Sequence, residues 1–262
     1  MNETIFHPAA IEMRDAHITA LRDLTFTVVE NVNWSVRPGE FWVVAGQPQS
    51  GKSDLLLTAA GLLLPGRGSC HVFGCGTDVF GEAQLAERLR VGLVFADGKL
   101  FNDLSIAQNI ALPLRYQNLS DNDAAVRTTE VLLELLELTP FASVMPSNLP
   151  ANWRGRAALA RALILKPELL LLDNPLAGLG ARHRQWLLNF LDRLAHGHEF
   201  FGGRPVTIVA TTDDLPAWRN LRRKFAALHE GNFSVLGAWN DAEFSRHHAV
   251  RDLLSAPLET NV

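Results

Sequence analysis

The sequence holds little cysteine, with only Cys70 and Cys75 among 262 residues. Two thiols cannot staple a chain of this length, and two ligands are too few for a zinc site, so a reducing compartment is expected. Long hydrophobic runs are also missing. The longest apolar stretch, residues 55–64, is about half of the ~20 residues that a membrane-spanning helix needs. Residues 1–10 lack a basic segment followed by an apolar one, so no secretory signal is expected. Neither sign of charge dominates: 24 Lys and Arg face 28 Asp and Glu, a formal net charge of −4. Such a balance gives no general attraction to nucleic acid or anionic lipid, and nucleic acid is not expected as a partner. There is no internal repeat and no low-complexity segment.

Hydrophobic residues make up 47% of the chain, enough for a sizeable core and too many for wholesale disorder. Strand-like stretches fall near residues 11–14, 25–29, 41–45, 71–73, 91–95, 169–172 and 206–210. Those at 41–45 and 169–172 are apolar throughout, and that at 206–210 is apolar but for Thr207, as in parallel strands buried on both faces. Helical spacing covers residues 53–64, 106–138, 152–165 and 185–194. Alternation of strand and helix predicts an α/β fold with a mostly parallel sheet, preceded by short β segments and interrupted by a helical insert at about 102–160. The expected division is a domain over residues 1–240 and a tail over 241–262, where residues 246–254 have weak helical character.

One motif carries chemistry directly. Gly46, Gln47, Pro48, Gln49, Ser50, Gly51, Lys52 and Ser53 match G-x-x-x-x-G-K-[S/T], with an apolar strand before and a helical segment after. Glycine lets backbone N–H groups curl around phosphate oxygens, and the helix that follows adds the positive end of its dipole. Lys52 would meet the β- and γ-phosphates, and the Ser53 hydroxyl would ligate Mg²⁺. A second anchor is the apolar run Leu169-Leu170-Leu171-Leu172 ending in Asp173, a strand-end acid suited to holding that magnesium. ATP and Mg²⁺ are therefore the expected ligands.

With these motifs the chain resembles the ATP-binding subunit of an ABC transporter over about residues 11–240. The segments Val36-Arg37-Pro38-Gly39-Glu40, Asn109-Ile110-Ala111-Leu112-Pro113-Leu114 and Ala158-Leu159-Ala160-Arg161-Ala162-Leu163 carry the likeness further. Within the family, Leu100-Phe101-Asn102-Asp103-Leu104-Ser105-Ile106 and Pro113-Leu114-Arg115 resemble Mla/Mce-type phospholipid transporters. The resemblance implies a P-loop NTPase fold with an N-terminal antiparallel β subdomain and an inserted helical subdomain. It also implies membrane permease subunits and a second ATP-binding subunit as partners. The location implied is peripheral, on the inner face of the cytoplasmic membrane, and residues 96–116 lie where the family docks its permease.

The resemblance implies further functional positions, and here the residues differ from the family pattern. No aromatic stands at residues 18–20 to stack on adenine, and Phe26 is the nearest candidate. Ala96 stands where a glutamine senses Mg²⁺ and γ-phosphate. Leu149-Pro150-Ala151-Asn152-Trp153 replaces the L-S-G-G-Q signature, so Trp153 stands at the glutamine position, either to stack on a partner's nucleotide or to fill space. Asn174 occupies the position of the catalytic glutamate, Gly180 that of the D-loop aspartate, and Thr212 that of the switch histidine. An amide can position water but cannot take its proton at neutral pH, and a threonine offers no ring nitrogen to phosphate. The expectation is Mg-ATP binding with impaired hydrolysis, the alternative being a non-hydrolysing pseudo-ATPase that holds or gates a permease. Arg154, Arg156 and Arg161 share the helix after the signature, where they either face the nucleotide and partner or are ordinary surface charge.

Overall fold

The computed structural model describes residues 8–78, 82–116, 122–219 and 223–240, with Phe244, His247, Val250 and Leu253. In chain order the elements are β1 (Ile11–Ala20), β2 (Asp23–Val36), β3 (Phe41–Gly46), α1 (Lys52–Ala59), β4 (Arg67–Val72), β5 (Cys75–Gly76), α2 (Glu82–Leu89) and β6 (Val91–Val94). There follow α3 (Ile106–Tyr116), α4 (Asn122–Leu135), α5 (Ala151–Leu163), β7 (Leu169–Leu172), α6 (Ala181–His196), β8 (Thr207–Thr212), β9 (Lys224–His229) and β10 (Asn232–Ala238).

Ten strands form one sheet in the order β5-β4-β1-β2-β10-β9-β3-β8-β7-β6. The half from β9 through β3, β8 and β7 to β6 is parallel. The half built on β1 is antiparallel, with β2 and β4 on its two sides. The expected fold class is therefore observed, down to the antiparallel N-terminal part and the helical insert formed by α3, α4 and α5.

Side-chain alternation sorts the apolar strands between two cores. Phe41, Val43 and Ala45 of β3, with Leu170 and Leu172 of β7, enter the core shared with the insert helices and α6. Trp42 and Val44, with Leu169 and Leu171, enter the other, beneath Leu55, Leu56 and Ala59 of α1 and the inner side chains of β1 and β2. Both faces are thus covered, so a continuous apolar run is the right composition for these strands.

Several boundaries differ from the sequence expectation. The hairpin β1–β2 is far longer than its apolar stretches: backbone pairing runs from Ile11 with Val36 to Ala20 with Asp23, and polar side chains bond along it, Arg14 to Glu12 and Asn33 to Asp15. Helix α1 stops at Ala59, where the N–H groups of Ala60 and Gly61 turn back to Leu56 and Thr58. The stretch 106–138 is two helices, not one. Strands β9 and β10 and helix α2 have no counterpart in the sequence reading. Of residues 246–254, all but His247, Val250 and Leu253 lie outside the described residues. Phe244, Val250 and Leu253 are buried in the insert-side core.

Candidate functional site: a phosphate loop beside two strand ends

The loop between β3 and α1 is shaped by glycine at two places. A Cβ on Gly46 would stand 2.5 Å from the Ser50 Oγ and 3.0 Å from the Leu228 carbonyl oxygen. Gly51, at φ +88°, turns the chain into α1, and a Cβ there would lie 2.9 Å from Val29 of β2. Lys52 is buried, and its ammonium donates to the carbonyl oxygens of Gly46 and Gln47, both at 2.6 Å. Burial pushes its pKa below the ordinary lysine value, against the opposing pull of the Asp213 and Asp173 carboxylates. Phosphate oxygens can replace those two carbonyls while the ammonium stays paired.

Asp173 follows the last residue of β7, and its N–H donates to Val94 of the neighbouring strand β6 at 2.9 Å. The Ser53 hydroxyl donates to Asp173 Oδ2 at 2.7 Å. Hydroxyl and carboxylate oxygens at this separation fit a hard, oxygen-seeking cation such as Mg²⁺. Thr211, at the end of β8, completes the arrangement: its hydroxyl donates to Asp173 Oδ1 at 2.9 Å and accepts from the Asn174 N–H at 2.9 Å. No sequence pattern singles out Thr211. Its signal is a hydroxyl at the end of an apolar strand, useful only once β7 and β8 are known to be neighbours.

The sequence-selected positions divide into two groups. Lys52, Ser53, Asp173 and Asn174 come together at the ends of β3, β7 and β8. Asn174, at a φ of 43° that asparagine tolerates better than glutamate, donates from Nδ2 to Asp213 Oδ2 at 3.1 Å. Thr212 is fully buried and turned inward: its hydroxyl donates to the Asp214 carbonyl and accepts from the Asp214 N–H. Asp214 in turn binds Arg184 of α6 at 2.6 Å. Phe26 is 61% exposed on β2, two residues from Val28, which packs against the Gly51 turn.

The substituted signature has its own packing. The Trp153 ring lies 5.0 Å from Phe141 and 5.2 Å from His183 of α6, so it fills space between the insert and α6, which accounts for the ring without a partner's nucleotide. Arg156, 6% exposed, stacks on Trp186 at 3.6 Å and pairs with Glu137 at 2.6 Å. Arg161 donates to the carbonyls of Gly98 and Lys99, and Arg154 to that of Leu149. Arg156 and Arg161 are engaged within the fold, while Arg154 is exposed and bonds only at the start of its own helix. Arg161 fastens α5 to the loop after β6, and Arg156 fastens it to the turn after α4 and to α6. His183 beside Arg156 has its pKa lowered by burial and by that neighbouring positive charge. Cys70 is buried with its thiol pKa pushed up to about 12, and Cys75 is half-buried; both are free. Among the described residues there is no cluster fit to hold a metal through His, Cys and acids, and no helix long and apolar enough to cross a membrane.

A parallel sheet whose strand ends carry a phosphate loop, a magnesium-type carboxylate and a following helix defines a nucleotide-binding P-loop protein. Residues 29–177 match the family described as ABC transporter. The chain is 34% identical over 212 residues to the spermidine/putrescine import ATP-binding protein PotA of Thermotoga maritima, covering 81% of this chain and 55% of that protein. It is 32% identical over 214 residues to the probable sulfate/thiosulfate import ATP-binding protein CysA of Chlorella vulgaris, covering 82% of this chain and 86% of that protein. A methionine import ATP-binding protein, MetN of Lactobacillus acidophilus, is 29% identical over 216 residues, 80% of this chain and 59% of that protein. Among solved structures, the dimeric post-hydrolysis state of the ATP-binding cassette MJ0796 bound to ADP and Pi matches at a TM-score of 0.75 and 24% identity, over 87% of this chain and all of that one. The chain belongs to the ABC transporter family. It spans about half the length of several of these relatives.

The expected likeness to phospholipid transporters finds no support among these relatives, and the structure gives a local reason for the text that suggested it. Asn109 is fully buried, accepts from the Phe101 N–H at 2.8 Å, and donates to the carbonyls of Phe101, Leu104 and Ser105. Ser105 and Gln108 form a reciprocal cap at the start of α3. Residues 100–109 are thus constrained by how α3 begins, whatever the cargo.

Proposed function

We propose that this chain is the ATP-binding subunit of an importer, binding Mg-ATP at Lys52, Ser53 and Asp173 and hydrolysing it slowly. The carrying observation is the contact of the Ser53 hydroxyl with Asp173 beside the buried Lys52 ammonium. The relatives' names, which concern polyamine, sulfate and methionine import, favour a small polar solute over a lipid. In this reading two ATP-binding subunits close on nucleotide, as in the dimeric MJ0796 structures. A permease docks on the surface of residues 96–116, which includes the exposed Phe101, and so holds the chain at the cytoplasmic face of the membrane.

Slow turnover follows from the residues that differ. Ala96 has only a methyl group, with no oxygen to offer the metal, Thr212 is committed to Asp214, and Asn174 offers an amide. Pro150 has no N–H to give to a partner's phosphate, and Gly180 has no carboxylate. The test is equilibrium binding of Mg-ATP to the purified chain, with Lys52→Ala beside it. Micromolar binding that Lys52→Ala abolishes is expected, and no binding at millimolar nucleotide would overturn the reading. Turnover separates it from the pseudo-ATPase alternative, in which nucleotide binds and is never cleaved.

A further inference from the structure

Position 174 carries an amide, and a carboxylate is in contact with it. Asp213 stands just past β8, and its Oδ2 accepts from Asn174 Nδ2 at 3.1 Å. The two strand ends are locked together by Thr211, whose hydroxyl binds both the Asp173 carboxylate and the Asn174 backbone N–H. The Asp213 and Asp173 carboxylates both pull on the Lys52 ammonium, against the effect of its burial. Asp213 thus stands against Asn174, the residue that follows Asp173 at the end of β7. It is half-buried, and among the described residues its one hydrogen-bond partner is Asn174. Asn174 Oδ1 is buried with no hydrogen-bond partner, leaving an acceptor beside the same carboxylate.

We propose that Asp213 is the general base of this site, receiving the proton of the attacking water while Asn174 holds its carboxylate in place. The proposal rests on the nucleotide-binding reading above. The water oxygen forms a bond to the γ-phosphorus as the bond from that phosphorus to the β–γ bridging oxygen breaks. ADP leaves with the electron pair, and the water proton passes to Asp213, which later returns it to solvent. Asn174 is a positioning residue, because it acts through Asp213.

The test compares equilibrium Mg-ATP binding with single-turnover cleavage for the whole chain. In Asp213→Asn, cleavage is expected to fall about 100-fold or more, the size of a lost general base. Mg-ATP affinity should hold or tighten, because a negative charge beside the phosphates is removed. A merely structural Asp213 would weaken binding along with cleavage. In Asn174→Ala, which removes the holder and keeps the base, a smaller fall of about tenfold is expected at unchanged affinity. The second variant also keeps the test open should Asp213→Asn fail to fold. Cleavage by Asp213→Asn within threefold of the unsubstituted chain overturns the proposal. So does an unsubstituted chain that binds Mg-ATP and never cleaves it, although the binding reading then stands. A chain that binds no Mg-ATP overturns both.

Discussion

The hydroxyl of Ser53 meets the carboxylate of Asp173 at 2.7 Å, although 120 residues separate them in the chain. One residue lies in the first turn of α1 and the other just past β7, so the contact exists only when the sheet has set β3 and β7 on either side of β8. It sets a hydroxyl and a carboxylate oxygen side by side, the pair proposed above to hold Mg²⁺. Ser53→Ala is expected to lower the magnesium dependence of ATP binding and to weaken Mg-ATP by about tenfold or more, the loss of one charge-assisted hydrogen bond. Titration of nucleotide with and without Mg²⁺ checks this, since affinity without Mg²⁺ should change little.

Lys52 gives a prediction with a sign. Burial lowers its pKa, so the ammonium is lost at a pH below the ordinary lysine range. ATP affinity should fall as pH rises through that region, because the neutral amine no longer attracts phosphate. Lys52→Ala should bind at least about 100-fold more weakly and should lose the alkaline dependence. Fluorescent-nucleotide titrations at several pH values would test both.

Glu40 ties the start of β3 to β9. It accepts from Trp42 Nε1 at 2.7 Å, from Lys224 Nζ at 2.5 Å and from the Arg37 N–H at 3.1 Å. Burial alone would raise its pKa, but these donors outweigh burial, and the net shift is downward. A carboxylate with a lowered folded pKa adds stability above its unfolded pKa, and that stability is lost as pH falls through the folded value. Glu40→Gln should therefore unfold more readily near neutral pH, with the difference shrinking at acid pH. Urea unfolding at pH 7 and pH 4 measures this.

The parts of the site legible in the sequence are those made by neighbours in sequence. Gly46 through Ser53 need only a strand before and a helix after, and Asp173 needs only the apolar run in front of it. Thr211 and Asp213 were not legible in that way, because they act on Asp173, Asn174 and Lys52 from an adjacent strand. Strands β9 and β10 were missed for a related reason. The run Phe225-Ala226-Ala227-Leu228 is short and alanine-rich, with weak strand preference. Its conformation comes from pairing with β3, where Trp42 lies opposite Lys224 and Ala45 opposite Ala227. Trp153 and Arg156 looked like site residues by position, but aromatic packing across the insert had already engaged them.

Arg156 makes that packing measurable. Its guanidinium stacks on Trp186 and pairs with Glu137, joining α5 to α6 and to the turn after α4. Arg156→Ala should cost about 2–3 kcal/mol of stability, from the lost stacking and charged hydrogen bonds. Arg156→Lys should recover little of it, since an ammonium lacks the planar fork. Denaturant unfolding of both variants tests the ranking.

Exchanging two groups tests the chemistry at the ends of β7 and β8 in another way. Asn174→Glu combined with Asp213→Asn keeps one amide and one carboxylate in contact and moves the carboxylate to position 174. Turnover should be at least that of the unsubstituted chain. Stability should fall by about 1 kcal/mol, because glutamate tolerates the φ of 43° less well than asparagine. Steady-state turnover and thermal unfolding report the two effects separately.

The place of β9 and β10 in the sheet has a consequence for biogenesis. They lie between β2 and β3, two strands that are nearly adjacent in sequence. During synthesis the β1–β2 hairpin and the β3 strand emerge early, yet the partners that join them follow almost 180 residues later, at Lys224–Ala238. Until then the N-terminal half must wait with open sheet edges, exposed to wrong pairing. A ribosome that stops before residue 224 would release a chain with a complete phosphate loop in its sequence and no closed sheet to hold it.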